Sequence, residues 1–225
     1  SGGQVWVVSG DYKRGEDPSC EPFEVVPCDT FVTEATFARS AAAWRPGAEV
    51  IAEISEWWRE NRRAKKVSVL YCYVLGKLQR ILAGLSALDG GREVYIHRDA
   101  ELYNECYRRA GFQLAPTRVV PRKLNGLSLE GALVLAPPKY LQSSWYRRFG
   151  DTVTAFASGW MALEDPCKFG YEKGFALSDH ADWSELVRTI EETGARSIVT
   201  CHGDASELDA YLRSQGYSVS SLPRA

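Results

Sequence analysis

Short apolar runs recur along the whole chain, each cut off by a turn residue and most of them followed by an amphipathic helical stretch. That alternation confines the fold to layered α/β architectures, because strands of this kind need helices to cover the sheet they build. Residues 5–8 form one run ending at Ser9-Gly10-Asp11, and residues 31–33 form another ending at Glu34. Val50, Ile51, Ile54, Trp57 and Trp58 then fall on one helical face. Residues 67–74 read as a buried strand, followed by Gly76 and a helix carrying Leu78, Ile81, Leu82 and Leu85 at helical spacing. A strand at 94–96, a helix at 99–109 closed by Gly111, a strand at 132–135 stopped by Pro137-Pro138, and a strand at 152–156 complete the middle. Near the end, Asp182 with Glu185 and Asp204 with Glu207 each predict a capped helix start. Gly194 and Gly216 close those helices, and strands at 197–200 and 217–219 follow them.

The chain has 225 residues, enough for one large domain or two modest ones. No apolar run approaches the roughly 18 residues that a membrane span needs, so no membrane partner is expected. The first residues, Ser1-Gly2-Gly3-Gln4, lack a basic leader and lead straight into a strand-like run, so the chain reads as starting in the middle of a fold. Six cysteines at 20, 28, 72, 106, 167 and 201 make no C-x-x-C pair. They are expected as small buried residues of a cytoplasmic protein. Charge is uneven: residues 59–148 hold 17 of the 27 Lys/Arg and 7 of the 29 Asp/Glu. A basic module beside an acidic remainder suggests a polyanionic partner for the first, the alternative being a basic solvated surface. Trp145 and Tyr146, beside Arg147-Arg148, could add base stacking or serve the core.

Four residues share one placement. Asp11, Glu34, His180 and His202 each sit just past a short apolar run, where α/β sheets gather functional groups. Two carboxylates and two imidazoles suit metal and phosphate chemistry. Singly, each also has an ordinary role as turn, strand end or cap. Gly76-Lys77 is not a Walker loop: Tyr71 stands where the earlier glycine is required and Leu78 where Ser or Thr is. A glycine opening a helix can still present N–H groups to a phosphate, the alternative being a simple tight turn.

Several blocks then occur in a fixed order: Val8-Ser9-Gly10-Asp11-Tyr12-Lys13, Thr33-Glu34-Ala35-Thr36-Phe37, Gly76-Lys77-Leu78-Gln79-Arg80, Ser158-Gly159-Trp160-Met161, Ser178-Asp179-His180-Ala181-Asp182-Trp183 and Thr200-Cys201-His202-Gly203. Together they resemble the β-CASP branch of the metallo-β-lactamase superfamily, most of all the bacterial ligase-associated DNA exonucleases. The resemblance implies an α/β fold, a partial αββα sandwich with an inserted Rossmann-like β-CASP domain. The divisions expected are 1–44 and 161–225 for the metallo-β-lactamase part and 45–160 for the insert. It implies Asp11 as a carboxylate bridging two zinc ions and His202 as a ligand to one. Glu34 is implied as a supporting acid, and His180 as the histidine serving the scissile phosphate. Gly76, Lys77, Ser178 and Asp179 are implied as substrate-phosphate contacts. The implied activity is metal-dependent phosphodiester hydrolysis in DNA repair. The implied partners are single-stranded or end-containing DNA, with RNA as the alternative strand, and an ATP-dependent DNA ligase.

Departures from the family pattern shape the expectation. The H-x-H-x-D-H cluster of complete members occurs nowhere in the chain. Arg98 follows His97, and Ala38-Arg39-Ser40 follows Phe37, where the family pattern leads one to expect glycine. Zinc sites take three or four protein ligands, so the zinc site is expected to be incomplete and this chain alone inactive. A non-catalytic nucleic-acid-binding or scaffold member of the superfamily is the other reading.

Overall fold

A computed structural model describes residues 3–222 except Gly90 and Asn125. In chain order the elements are β1 (Trp6–Val8), β2 (Thr30–Glu34), α1 (Gly47–Arg63), β3 (Val67–Tyr71), α2 (Lys77–Asp89), β4 (Val94–Ile96), α3 (Glu101–Arg109), β5 (Thr117–Val119), β6 (Leu133–Ala136), β7 (Thr152–Ala157), β8 (Lys173–Phe175), α4 (Trp183–Thr193), β9 (Ser197–Cys201), α5 (Ser206–Ser214) and β10 (Ser218–Ser221). Short 3-10 turns join several of them. The architecture is α/β, with two sheets whose described pairings are all parallel. Among the described residues no helix is long and apolar enough to cross a membrane.

The chain divides into two compact units, the first comprising Ser1–Gly15, Pro22–Trp44 and Ser178–Ala225. Its sheet runs β1-β2-β9-β10. Val7, Phe31, Ile198 and Val219 share one face of that sheet, in register, and pack with Leu186 and Ile190 of α4 and Leu208 and Leu212 of α5. Both helices therefore cover the same face. α4 starts as its sequence predicts: the Asp182 carboxylate accepts the Glu185 N–H (2.9 Å), and the Glu185 carboxylate accepts the Asp182 N–H (3.3 Å). The second start signal behaves differently. Asp204 accepts the N–H of Ser206 (3.2 Å), and Glu207 accepts the Ser40 N–H (3.2 Å), so no capping box forms.

The second unit comprises Glu16–Glu21 and Arg45–Leu177. Its six-stranded sheet runs β5-β4-β6-β3-β7-β8. The expected strand at 67–74 is β3, which ends at Tyr71. The edge strands β5 and β8 carry no run of apolar residues (Thr-Arg-Val and Lys-Gly-Phe), so their sequences carry no strand signal. β8 lies beyond residue 160, in the second unit. Ile51, Ile54 and Trp58 of α1 and Leu78, Ile81, Leu82 and Leu85 of α2 fill the core against Leu70 and Leu135. A Cβ on Gly84 would lie 2.6 Å from Ile51 Cδ1, so the close approach of α1 and α2 requires glycine there. Of the six cysteines only Cys72 is buried; Cys20, Cys106 and Cys167 are exposed, on loops or helix surfaces rather than in strands. Reading all six as buried small residues was therefore wrong for those three.

Candidate metal and phosphate site

The first unit brings Asp11, Glu34, His180 and His202 together. β1, β2 and β9 are parallel neighbours, so their carboxyl ends lie side by side and bring Asp11, Glu34 and His202 to one edge of the sheet. Glu34 is the last residue of β2 and pairs in register with Cys201, the last of β9; His202 follows at once. Asp11 comes after a turn at Gly10, and the next residue, Tyr12, is buried and stacked on Phe23 (4.4 Å). That anchor holds Asp11 at the sheet edge with its carboxylate exposed.

Glu34 is only 1% exposed, and both of its carboxylate oxygens have partners. One accepts the Tyr12 N–H (2.9 Å) and the other lies 2.7 Å from His180 Nδ1. A carboxylate only accepts, so Nδ1 carries the proton and Nε2 is the nitrogen left for other work. Burial alone would push the His180 imidazole down; the Glu34 hydrogen bond, with the Glu34, Asp11 and Asp179 charges, more than offsets this, and its pKa lies above the ordinary histidine value. The segment carrying His180 is itself clamped. Ser178 Oγ donates to the His180 carbonyl (3.1 Å) and accepts the His180 N–H (3.0 Å). The Trp44 indole donates to the same carbonyl (2.8 Å), and the Trp44 N–H donates to Asp182 (2.9 Å). Phe37 meets the imidazole edge-on, with ring centroids 5.7 Å apart. The sequence had no local signal for Trp44; its role comes from partners 136 and 138 residues away.

His202 lies outside this clamp. Its Nδ1 is 3.3 Å from Asp11 Oδ1, with 191 residues between them in sequence. Its ring is exposed and its φ is 55°, a left-handed conformation that non-glycine residues adopt at a cost of about 1 kcal/mol or more. Gly203 follows at φ 86°, and a Cβ there would sit 2.4 Å from the Ala35 carbonyl oxygen. The Ala35 N–H in turn donates to the His202 carbonyl (3.1 Å). The turns after β2 and β9 are thus locked backbone to backbone.

Asp11, Glu34 and His180 offer donor atoms that all lie within 4.8 Å of one another, a spacing that one ion can bridge. Glu34 is already engaged by Tyr12 and His180, which leaves Asp11 and His202, facing each other at 3.3 Å, and one nitrogen of His180 as the remaining donors. A zinc ion takes three or four protein ligands. Asp11 and His202 alone fall short of that number, and with His180 added the set serves at most one ion and not two.

The expected phosphate contacts are spread over both units. Ser178 and Asp179 stand beside His180 in the first, the Ser178 hydroxyl engaged as described. Gly76 and Lys77 belong to the second. There the Gly76 N–H donates to the Gln79 side chain (2.8 Å), and the buried Lys77 ammonium donates to the Leu177 carbonyl (2.8 Å). Gln79 also donates to the Val74 carbonyl and to Asn104, and Arg80 lies 3.5 Å from Asp17, both buried. The Gly76–Arg80 block is wired inward throughout.

No protein-family profile matches the chain. A protein of Opitutus terrae (strain DSM 11246 / JCM 15787 / PB90-1) named Probable DNA ligase is 30% identical over 212 residues, which is 93% of this chain and 20% of that protein. The two are distant homologues over that stretch, and the chain spans about a fifth of the length of the curated relative it matches.

Proposed function

We propose that this chain carries part of the active centre of a metal-dependent nuclease of the metallo-β-lactamase superfamily, β-CASP branch, acting on DNA. The single observation that carries the reading is the convergence of Asp11, Glu34, His180 and His202 at the ends of adjacent parallel strands and the head of α4. Homology to part of a protein named as a probable DNA ligase supports a DNA-processing role and a ligase as partner. In this reading residues 1–44 and the tail belong to the metallo-β-lactamase domain, and the central residues to the inserted domain. Asp11 and His202 hold zinc, with the remaining ligands supplied by other polypeptide. A bound metal polarises a phosphoryl oxygen and lowers the pKa of water. Glu34 fixes the imidazole of His180, and His180 Nε2 holds a proton for a phosphoryl or leaving oxygen. Ser178 and Asp179 shape the segment around His180 in the first unit, and Gly76 and Lys77 open α2 in the second. The shortfall in donors favours a second reading, a nucleic-acid-binding member without catalysis.

The test measures divalent-metal-dependent cleavage of labelled single-stranded DNA. The chain alone is expected to be inactive and to retain no stoichiometric zinc. In the company of polypeptide supplying the missing ligands, cleavage should appear. Asp11→Asn and His180→Ala should each lower it by roughly 10²-fold or more, and Glu34→Gln by roughly 10–100-fold. Chelator-sensitive cleavage by the chain alone would sink the donor count, and activity indifferent to Asp11→Asn and His180→Ala would sink the site.

A further inference from the structure

The second unit contains a cavity of about 350 Å³ at the carboxyl ends of three neighbouring parallel strands. His97 and Arg98 directly follow β4, Arg122 lies just past β5, and Ser144, Trp145 and Arg148 come from the connection between β6 and β7. Ligands of open α/β sheets bind at this end of the strands. Three guanidinium groups line the cavity and no carboxylate does. Several other surface cations of the basic stretch are paired: Arg59 and Arg63 with Glu56, Arg109 with Glu105, Arg118 with Glu93. Arg98 and Arg122 have no acidic partner among the described residues; the nearby Asp99 pairs through one oxygen with Lys139 (2.9 Å), and its other oxygen lies 3.3 Å from His97 Nδ1, on the ring edge away from Nε2.

Arg148 supplies the second, independent observation. Its Nε donates to the Trp145 carbonyl (3.0 Å) and its Nη1 to the Arg122 carbonyl, while Nη2 is buried with no hydrogen-bond partner. The guanidinium also lies over the Trp145 and Phe149 rings (5.8 and 5.5 Å to their centroids), so its charge is fixed at the cavity wall with no carboxylate against it. The imidazole beside it is oriented. His97 Nδ1 accepts the Asp99 N–H (3.1 Å), so in the neutral ring Nε2 carries the proton and can donate. Trp145 is already packed against the rings of His97, Tyr140 and Phe149, which leaves phosphate rather than a stacked base as the group the cavity recognises.

We propose that this cavity is a phosphate-binding site in which Arg98, Arg122 and Arg148 share the charge of one phosphate group and His97 donates to it. Guanidinium forks match phosphate oxygens in geometry as well as charge. The site lies wholly in the second unit and uses none of the residues assigned to hydrolysis, so it stands or falls apart from that reading.

The experiment uses the full chain. Binding of inorganic phosphate, and of a short oligonucleotide with a 5′-phosphate or a 5′-hydroxyl, is measured by calorimetry and fluorescence anisotropy across a salt series. The Arg98→Gln/Arg122→Gln double variant should weaken binding roughly ten- to hundredfold. It should also flatten the log–log salt slope for the oligonucleotide by about 0.7 for each phosphate charge no longer neutralised. Neither side chain has a described acidic partner, so the melting curve should not move. Arg147→Gln, an equal loss of charge at a residue outside the cavity lining, should leave binding unchanged. The His97 ring protons should shift on phosphate addition in the parent and not in the double variant. Preference for the 5′-phosphate supports the site with a terminal monoester as its source; equal binding of both strands supports it with a backbone diester. Binding that the double variant does not weaken, or that Arg147→Gln weakens as much, overturns it in favour of diffuse attraction to a basic surface.

Discussion

His202 and Gly203 occupy adjacent left-handed positions for opposite reasons. Gly203 is required by close packing: its missing Cβ leaves room for the Ala35 carbonyl, where a methyl would stand at 2.4 Å. His202 has no such constraint, since its side chain is 72% exposed and among the described residues Asp11, at 3.3 Å, is its polar side-chain partner. A histidine held at φ 55° without packing to reward it is a strained residue kept for its ring. Two substitutions separate these cases. Gly203→Ala should destabilise by about 2–4 kcal/mol, because backbone meets methyl and neither turn can yield freely. His202→Gly should leave stability unchanged or raise it by up to about 1 kcal/mol, while removing a proposed metal donor. Urea denaturation of both variants checks this. A His202→Gly variant several kcal/mol less stable than the parent would mean the ring supports the fold. Asp11, Glu34 and His202 were readable because each ends or follows a recognisable strand, and parallel order turns that shared position into proximity, while His180 stands at the capped head of α4. Their division of labour was not readable. That Glu34 accepts from Tyr12 and meets His180 depends on distances that no local pattern carries.

Asp182 and Asp204 show the same limit in helices. Both precede glutamate by three residues and both predict a capped start. Only Asp182 forms the reciprocal box, because Glu207 is drawn to the Ser40 N–H, 167 residues away. The helices exist where the periodicity places them, and so do the long buried strands; what failed to show in sequence were the three-residue edge strands β5 and β8, whose polar side chains leave no apolar run. The two caps should differ in strength. Asp182 is buried and also accepts the Ser184 hydroxyl (2.7 Å) and the Trp44 N–H (2.9 Å), so Asp182→Ala removes a cap and deprives two further donors of their acceptor. It should cost about 2–3 kcal/mol and loosen the loop holding His180, seen as faster amide exchange there. Asp204→Ala removes exposed hydrogen bonds to Ser206 and should cost about 0.5 kcal/mol. Equal losses from the two variants would show that the capping box has no special weight in α4.

At the scale of the molecule, the two units differ in how their parallel sheets are covered. Parallel sheets are ordinarily buried on both faces. The sheet of the second unit places two separate apolar clusters around its strands, one with Leu70 and Leu135 and the other with Val69 and Val134, so side chains of alternating direction are both buried. The sheet of the first unit has α4 and α5 on the face carrying Val7, Phe31, Ile198 and Val219. The alternate residues of its edge strand, Trp6 and Val8, are 60% and 71% exposed. Large apolar side chains on an unpaired strand edge invite association, and in the proposed reading this is the face that the rest of an αββα sandwich would cover. The chain alone should therefore bind a hydrophobic reporter dye and self-associate as its concentration rises. Trp6→Ser with Val8→Thr should abolish both, with a change in stability under about 1 kcal/mol, because exposed side chains remove little buried area when replaced. Dye fluorescence and sedimentation velocity on the parent and the double variant measure it. A parent chain that stays monomeric and dark to the dye would mean that this face is stable in water as it stands. The partial-sandwich reading would then lose its support from packing and rest on the motifs and the site geometry alone.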